Sequence, residues 1–431
     1  MAHGSRHRRA VAALAATLLV LPLAACSDDE DEREDDAVEV EPVPPAQVAL
    51  AAEVDGPVRI GVVVSSVGSG AEGTDVLPLA QGAMVAQRRL ADGGVDVEVL
   101  GRDDRGTAEG AVAVVDELVD AGVSGIVLGT SGSHTTAALE RAAEAGVPVV
   151  APYLDGSGLP ASTWSTAPST SAVDAGMGEA LAAVAASRPL VLTIGAAEEP
   201  QVEGARAATF GADGVGAAVT AVADAVDERA IDSVVLAGAA ADQARFVQGI
   251  QTVADVPVVL TPDALSPVFA DVLADSGGVL SAPFLTVGPD AGDATTLAEG
   301  AAGESAAAYF AALRSLAADT DAVDVLGRPF DVNGADADLA SHDAVVALVR
   351  AVEAAGSGAP ADVAGALPAL SLDAGDGLAG PALSFATQQA LPDDAVVALT
   401  STTQDPGVRS VVTTGAPETQ HLYWLAVPTG A

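Results

Sequence analysis

Residues 124–152, SGIVLGTSGSHTTAALERAAEAGVPVVAP, constrain the fold more than any other part of the chain. Ile126, Val127 and Leu128 form an apolar run too short for a helix, so they read as a buried strand. GTSGS at 129–133 then crowds small side chains and hydroxyls into a turn. Ala138, Ala142 and Ala145 follow at helical spacing. Gly146 stands where a left-handed helix cap belongs, with Pro148 two residues beyond. Residues 147–150 give the next buried strand. Strand, turn, helix and strand make a βαβ unit and commit the chain to a parallel sheet. Such a unit aims the amides and hydroxyls of Gly132, Ser133 and Thr135 from a helix start at the space above the sheet. That is a cradle for a carboxylate or another small acceptor group. The alternative is that the glycines serve only to turn the backbone.

The preceding residues repeat the pattern. VRIGVVV at 58–64 reads as a first strand, and 78–90 as a helix with Leu79, Ala83, Ala86 and Leu90 on one face. A second strand over 95–100 ends near Asp103 and Asp104. Thr107 is placed to cap a helix whose Ala111, Val115, Leu118 and Val119 face the core. Strands alternating with helices over short loops imply a sheet with helices on both faces. Farther on, helices are expected over 172–187, 242–253, 305–318 and 341–355. Strands are expected over 190–194, 233–236, 257–260, 278–284, 378–385, 396–400 and 421–425. The acidic segment 319–338 lacks periodicity and reads as a surface loop.

Composition narrows the function. The 431 residues suffice for two or three domains, and half of them are hydrophobic, so a large core is within reach. The chain has no lysine, which removes a P-loop lysine and Schiff-base chemistry. A formal net charge of −42 argues against nucleic acid, whose phosphates want basic surfaces. Genome bias or a saline habitat also accounts for such acidity, which says nothing about fold.

GSGAEG at 68–73 is a literal GxGxxG after a strand. In a chain with 45 glycines a lone match is weak, and no dinucleotide or other cofactor is expected. The loop is expected to face a ligand crevice, because it follows the carboxyl end of a strand. Catalytic patterns are wanting. GTSGS fails GxSxG at its last place, and the histidines form no HExxH pair. His134 reads as a helix-start residue at the crevice edge, and Asp103 and Asp104 as solvated loop ends. Neither an enzyme nor a metal site is expected.

Arg6, His7, Arg8 and Arg9 precede an apolar run over 10–21 that is too short to span a bilayer. Leu23-Ala24-Ala25-Cys26 follows, and Cys26 is the sole cysteine. This order resembles a bacterial lipoprotein lipobox. The resemblance implies a leader over 1–25, cleavage before Cys26 and a lipid on its thiol, with the membrane as a partner. Two acyl chains hold well at roughly 0.8 kcal/mol per buried CH₂. With Cys26 lipidated, no thiol is left for disulfides, catalysis or metal. Residues 26–56, acid-rich and then Pro-rich, read as a tether that cannot bury a core.

IGVVVS, the Gly-rich loop, QGAMVAQRRLADGG, EVLGRDDRG, AVAVVDELVDAGVSGIVLGTSGS and EAGVPVVAP follow one another in an order that resembles the type I periplasmic binding fold. The nearest group is the leucine/isoleucine/valine-binding receptors of ABC transporters. The resemblance implies an α/β protein of two doubly wound parallel-sheet lobes joined by a three-segment hinge. Lobe 1 would span 57–165 and 287–375, and lobe 2 would span 166–286 and 376–431. It implies that Gly132, Ser133 and Thr135 hold a ligand carboxylate and that an acid of the second lobe, here Asp263, holds the ammonium. Ser66, Tyr153 and Asp155 complete the expected contacts. Asp263 also suits a helix cap, and Trp164 suits either ligand stacking or a plugged hinge. Asp155 would repel a carboxylate, and no tyrosine stands at 198–202 or 238–241. Those departures favour a different small polar ligand, a cationic one included, over a plain branched-chain amino acid. The expected function is an extracytoplasmic, lipid-anchored solute-binding protein serving an ABC permease. The alternative is a non-transport ligand sensor or envelope scaffold of the same fold, with or without a degenerate pocket.

Overall fold

The computed structural model describes residues 47–66, 76–281, 283–409 and 421–428. The leader, Cys26, the acidic run and residues 68–73 lie outside the described residues. β1 (Val58–Val64) forms where valine and isoleucine crowd together, and it buries every residue but Arg59, as a central parallel strand must. α1 (Gly82–Asp92) continues from a 3₁₀ turn at Leu79–Gln81. β2 (Val97–Asp103) and α2 (Ala108–Asp120) follow, the helix started by Thr107, whose hydroxyl accepts from Gly110 N at 3.0 Å. β3 (Gly125–Leu128), α3 (Thr136–Glu144) and β4 (Val149–Ala151) are the expected βαβ unit, and Gly146 takes the left-handed conformation at φ 69°. The short strand β5 (Thr163–Ser165), unforeseen in the sequence, closes a parallel sheet of order β2-β1-β3-β4-β5.

α4 (Thr170–Ala183) leads to β6 (Pro189–Ile194), β7 (Arg206–Phe210), α5 (Val215–Asp227), β8 (Ser233–Ala237), α6 (Ala240–Ile250), β9 (Val258–Leu260), α7 (Pro267–Asp275) and β10 (Leu285–Pro289). α8 (Ala301–Ala318), α9 (Leu339–Ala355) and α10 (Pro360–Ala366) pack on the first sheet. The hairpin β11 (Ser371–Leu372) and β12 (Leu383–Ser384) precedes β13 (Val396–Thr402) and β14 (Tyr423–Ala426). The second sheet has the order β14-β13-β10-β9-β8-β6-β7, parallel except where β13 pairs with β10 and with β14. Tyr309, Phe310, Phe330 and Phe385 fill the core beside the first sheet, and Phe246, Phe269 and Phe284 the core beside the second.

Three expectations need correction. The strand expected over 278–284 lies later, at Leu285–Pro289, where Thr286 and Val287 are fully buried. The strand expected over 378–385 shrinks to Leu383–Ser384. The segment 319–338 is no surface loop: Asp324, Val325, Phe330 and Ala337 are buried in it. Asp324 organises it, accepting from the Leu326 and Arg328 amides at 2.9 Å each and from Asn333 Nδ2 at 3.0 Å.

The chain passes between the sheets three times, after β5, after β10 and before β13. β10 keeps the chain in the second sheet as far as Pro289, and residues 378–391 pack with the first core. Membership therefore changes at about 289 and 395, where 286 and 375 were expected. The crossings are tied to one another. Ser165 N donates to Gln388 O at 2.7 Å, Ala390 N to Ser165 O at 2.8 Å, and Asp290 N to Ala395 O at 3.1 Å. Ser169, the cap of α4, donates to Asp393 at 2.7 Å. Trp164 plugs this region: it is buried, and its indole N–H donates to Phe385 O at 3.1 Å, so it offers no face to a ligand.

Candidate functional site

In a parallel α/β sheet, ligands gather outside the carboxyl ends of the strands, where helix starts and loops converge. At the end of β1, Ser66 donates through both its amide, at 3.0 Å, and its hydroxyl to Asp103 at the end of β2. Asp103 also accepts the Arg105 amide at 2.9 Å and so holds Arg105 at a positive φ of 57°.

The neighbouring residues turn inward. Ser65 and Asp104 are wholly buried, and so is Thr130 after β3. The Ser65 hydroxyl donates to Asp104 Oδ1 at 2.6 Å and meets Thr130 Oγ1 at 2.7 Å. Asp104 Oδ1 accepts the Gly106 amide at 2.7 Å, and its Oδ2 lies 3.0 Å from His134 Nε2. The doublet Asp103-Asp104 is therefore not a pair of solvated loop ends. Asp103, half-buried at the strand end, faces Ser66, and Asp104, just past that end, turns into the buried floor of the site. His134, expected at a helix start, does stand in a 3₁₀ turn (Ser133–Thr135), but its ring is buried against Asp104.

Above that floor, Gly132 adopts φ 122°, which a side chain would strain, and so reverses the chain into the turn. Ser133 is exposed. Thr135 is buried, and its hydroxyl donates to Gly132 O at 2.8 Å, so its oxygen fixes the turn while keeping accepting capacity. After β4, the Tyr153 hydroxyl donates to Asp338 Oδ2 at 3.0 Å. Asp338 caps α9 by accepting the Ser341 amide at 2.9 Å. Burial pushes the Asp338 carboxyl up to about 6, and burial also raises the Tyr153 hydroxyl. α1 lies close enough to this cap that a Cβ on Gly82 would stand 2.0 Å from Asp338 O.

Asp155 is half-buried. It accepts from the Ser157 amide at 2.6 Å and from the Thr170 amide and hydroxyl at 2.8 and 3.0 Å. Burial opposes its ionisation, but these donors outweigh burial and hold its pKa below the ordinary value. Thr170 begins α4, so the carboxylate bridges the crevice loop and the first helix of the second lobe. In the second lobe, Asp263 is exposed in the 3₁₀ turn Pro262–Leu265 after β9. It accepts from the Thr261 hydroxyl at 2.9 Å, and Gln243 braces that hydroxyl at 2.7 Å. The cap of α7 is Ser266, so Asp263 is spared that duty.

The structure thus gathers Ser66, Gly132, Ser133, Thr135, Tyr153 and Asp155 on neighbouring strand ends of the first sheet and sets Asp263 at a strand end of the second. Sequence reasoning missed Asp104 and Asp338. For Asp104 no local pattern gave it away, because burial along β2 does not alternate and Asp104 lies just past the strand's end. For Asp338 the signal was the spacing to Ser341.

The periplasmic binding protein family profile matches residues 57–402, most of the chain and both sheets. The chain belongs to the periplasmic binding protein family. Among solved structures, this periplasmic binding protein is similar to the branched-chain amino acid transporter substrate-binding protein LivJ from Streptococcus pneumoniae, in complex with isoleucine. The TM-score is 0.62 and the identity 18%, over 86% of this chain and 100% of that one. The leucine-binding protein LivK from Thermotoga maritima gives a TM-score of 0.58 at 14% identity, over 81% and 96% of the two chains. A solute-binding protein from R. palustris in complex with 4-hydroxybenzoate gives 0.56 at 15% identity, over 80% and 92%. At such identities the likeness establishes the type I periplasmic binding fold, with its two α/β lobes and three crossings. No curated protein matches this periplasmic binding protein in sequence.

Proposed function

We propose that this protein is the extracytoplasmic, lipid-anchored solute-binding component of an ABC importer. In this reading it captures a small polar ligand, an amino acid or a relative of one, between its lobes. The observation that carries the reading is the matched pair of strand ends: a donor-bearing turn at Gly132, Ser133 and Thr135 on one side and the exposed Asp263 carboxylate on the other. The turn suits a carboxylate and Asp263 an ammonium, with Ser66, Tyr153 and Asp155 around them. Ligand touching both lobes favours closure, because only the closed form makes both sets of contacts. The lipid on Cys26 and the tether over 26–56 keep the body near the permease.

One observation favours a second reading, a ligand sensor or envelope scaffold: the side chains of Ser66, Tyr153 and Asp155 are already bonded within the protein. A thermal-shift screen of amino acids, polyamines, amides and short acids tests whether the pocket binds at all, and so separates an importer or a sensor from a scaffold with a degenerate pocket. A ligand at a hundred times its Kd adds about 2.7 kcal/mol of stability. Asp263→Asn and Ser133→Ala should each abolish most of that gain. A flat screen, or a shift that both variants leave intact, removes the binding role.

A further inference from the structure

The connection between β13 and β14 belongs by sequence to the second sheet, yet part of it docks on the first lobe. Val408 packs against the core of the first sheet, and its carbonyl accepts from Arg314 of α8. Arg409 goes further. Its guanidinium forks onto Asp293, with Nε to Oδ1 at 2.8 Å and Nη2 to Oδ2 at 3.0 Å. Its Nη1 donates to Ala335 O at 2.7 Å and Ala337 O at 3.1 Å, and the group lies 5.3 Å from the centre of the Phe310 ring. Both charges are largely withdrawn from water, at 19% and 10% side-chain exposure. Beyond the same connection, His421 Nδ1 stands 3.5 Å from Asp336 Oδ1, on the loop that Arg409 grips. That loop ends at Asp338, which holds Tyr153 at the crevice and whose carbonyl accepts the Tyr309 hydroxyl at 2.9 Å.

We infer that Arg409 is a positioning residue, the centre of a non-covalent clasp that fixes the second lobe to the first in addition to the three covalent crossings. A surface ion pair contributes little, but a buried, bidentate arginine with two further carbonyl acceptors keeps its place, because release leaves a charge and several acceptors without partners. The acceptors all lie on the first lobe: Asp293 after the second crossing, and Ala335 and Ala337 before α9. The strands that flank the connection, β13 and β14, lie in the second sheet. The resting angle between the lobes is therefore biased by this grip as well as by the crossings. The inference does not depend on ligand capture, and its test uses no ligand.

The test is single-molecule energy transfer in the full chain carrying Cys26→Ser, which removes the sole native thiol. Labels go on E140C in the first lobe and E228C in the second, both exposed positions. The unaltered clasp should give one narrow distribution. Arg409→Met should broaden or displace it, at least doubling the fraction of molecules outside the original peak. Arg409→Lys, which keeps the charge and loses the fork, should fall between. Asp293→Asn preserves the shape of the site and decides the matter if Arg409→Met does not fold. A folded Asp293→Asn or Arg409→Met chain whose distribution coincides with the original overturns the inference.

Discussion

Removing the Asp104 side chain tests how the floor of the crevice is held. Asp104→Ala takes one acceptor from three donors: the Ser65 hydroxyl at 2.6 Å, the Gly106 amide at 2.7 Å and His134 Nε2 at 3.0 Å. The losses are unequal. Ser65 can turn to Thr130 Oγ1, already 2.7 Å away, and Gly106 is partly open to water, so each should cost about 0.5–1.5 kcal/mol. The His134 nitrogen is buried and exchanges its carboxylate for the longer contact to Ser65 Oγ at 3.4 Å, which costs about 1–3 kcal/mol. The whole comes to about 2–6 kcal/mol, comparable with breaking a buried pair. For a cooperative unit of lobe size, that lowers the melting midpoint by roughly 4 °C or more. Asp104→Asn should cost less, because its carbonyl can serve Ser65 and Gly106 while the His134 ring changes tautomer and accepts from the new amide. The assay is urea unfolding followed by circular dichroism, with hydrogen exchange over 129–136 as the local readout. An Asp104→Ala chain that loses less than about 1 kcal/mol, with unchanged exchange in the turn, would refute the account.

Other consequences are as direct. Asp338 titrates near 6 in the folded chain against an ordinary value of 3.8, so the folded state holds its proton more tightly between those values. Its contribution to stability is present at pH 4 and is lost as pH rises through 6. Relative to Asp338→Asn, the parent should be better off at pH 4 than at pH 7 by about 2 kcal/mol, and a pH-independent difference in urea midpoint contradicts this. Asp232 behaves oppositely. Hydrogen bonds from the Ser187 hydroxyl and amide and the Arg188 amide hold its pKa at about 2. Its benefit is present above about pH 4 and fades as pH falls through 2; because the half-buried site still meets water, Asp232→Asn should cost only about 1 kcal/mol or less at pH 7. Trp164→Phe orphans the Phe385 carbonyl and should cost about 1–3 kcal/mol. It should also shift the emission to the red, because Trp424, the other of the two tryptophans, is more exposed than Trp164; an unshifted spectrum would count against the plugged hinge. Cys26→Ala should move the protein from the membrane fraction to the soluble one and end palmitate labelling; retention of both rules out the lipid.

The first lobe was the more legible in sequence. Its strands are short apolar runs bracketed by small-residue turns, and β1 was found with its exact bounds at Val58 and Val64. The later strands blurred because sheet membership there is decided by partners far along the chain. β5 is three residues long and rests on segments 149–151 and 388–390, and nothing local in Thr163-Trp164-Ser165 announces it. β7 was missed because its strand is largely exposed on the edge of its sheet, which removes the apolar signal. In the site, the turn at 132–135 could be read from its glycine and hydroxyls. The direction of each side chain could not: Asp103 and Asp104 are the same residue type, yet one is half-buried and the other wholly buried, and Asp155 reaches Thr170 across a crossing as well as its neighbour Ser157.

The three crossings carry a mechanical consequence. A body hung on one strand swivels freely, with three rotational freedoms to be frozen before anything is caught. Here the linking segments lie side by side and are laced together by main-chain bonds and by Ser169 to Asp393, so torsion about their length is resisted and flexing about one axis is the soft direction. Most of the entropy of aligning the two lobes has been spent during folding, and what remains for closure is the cost of a single swing.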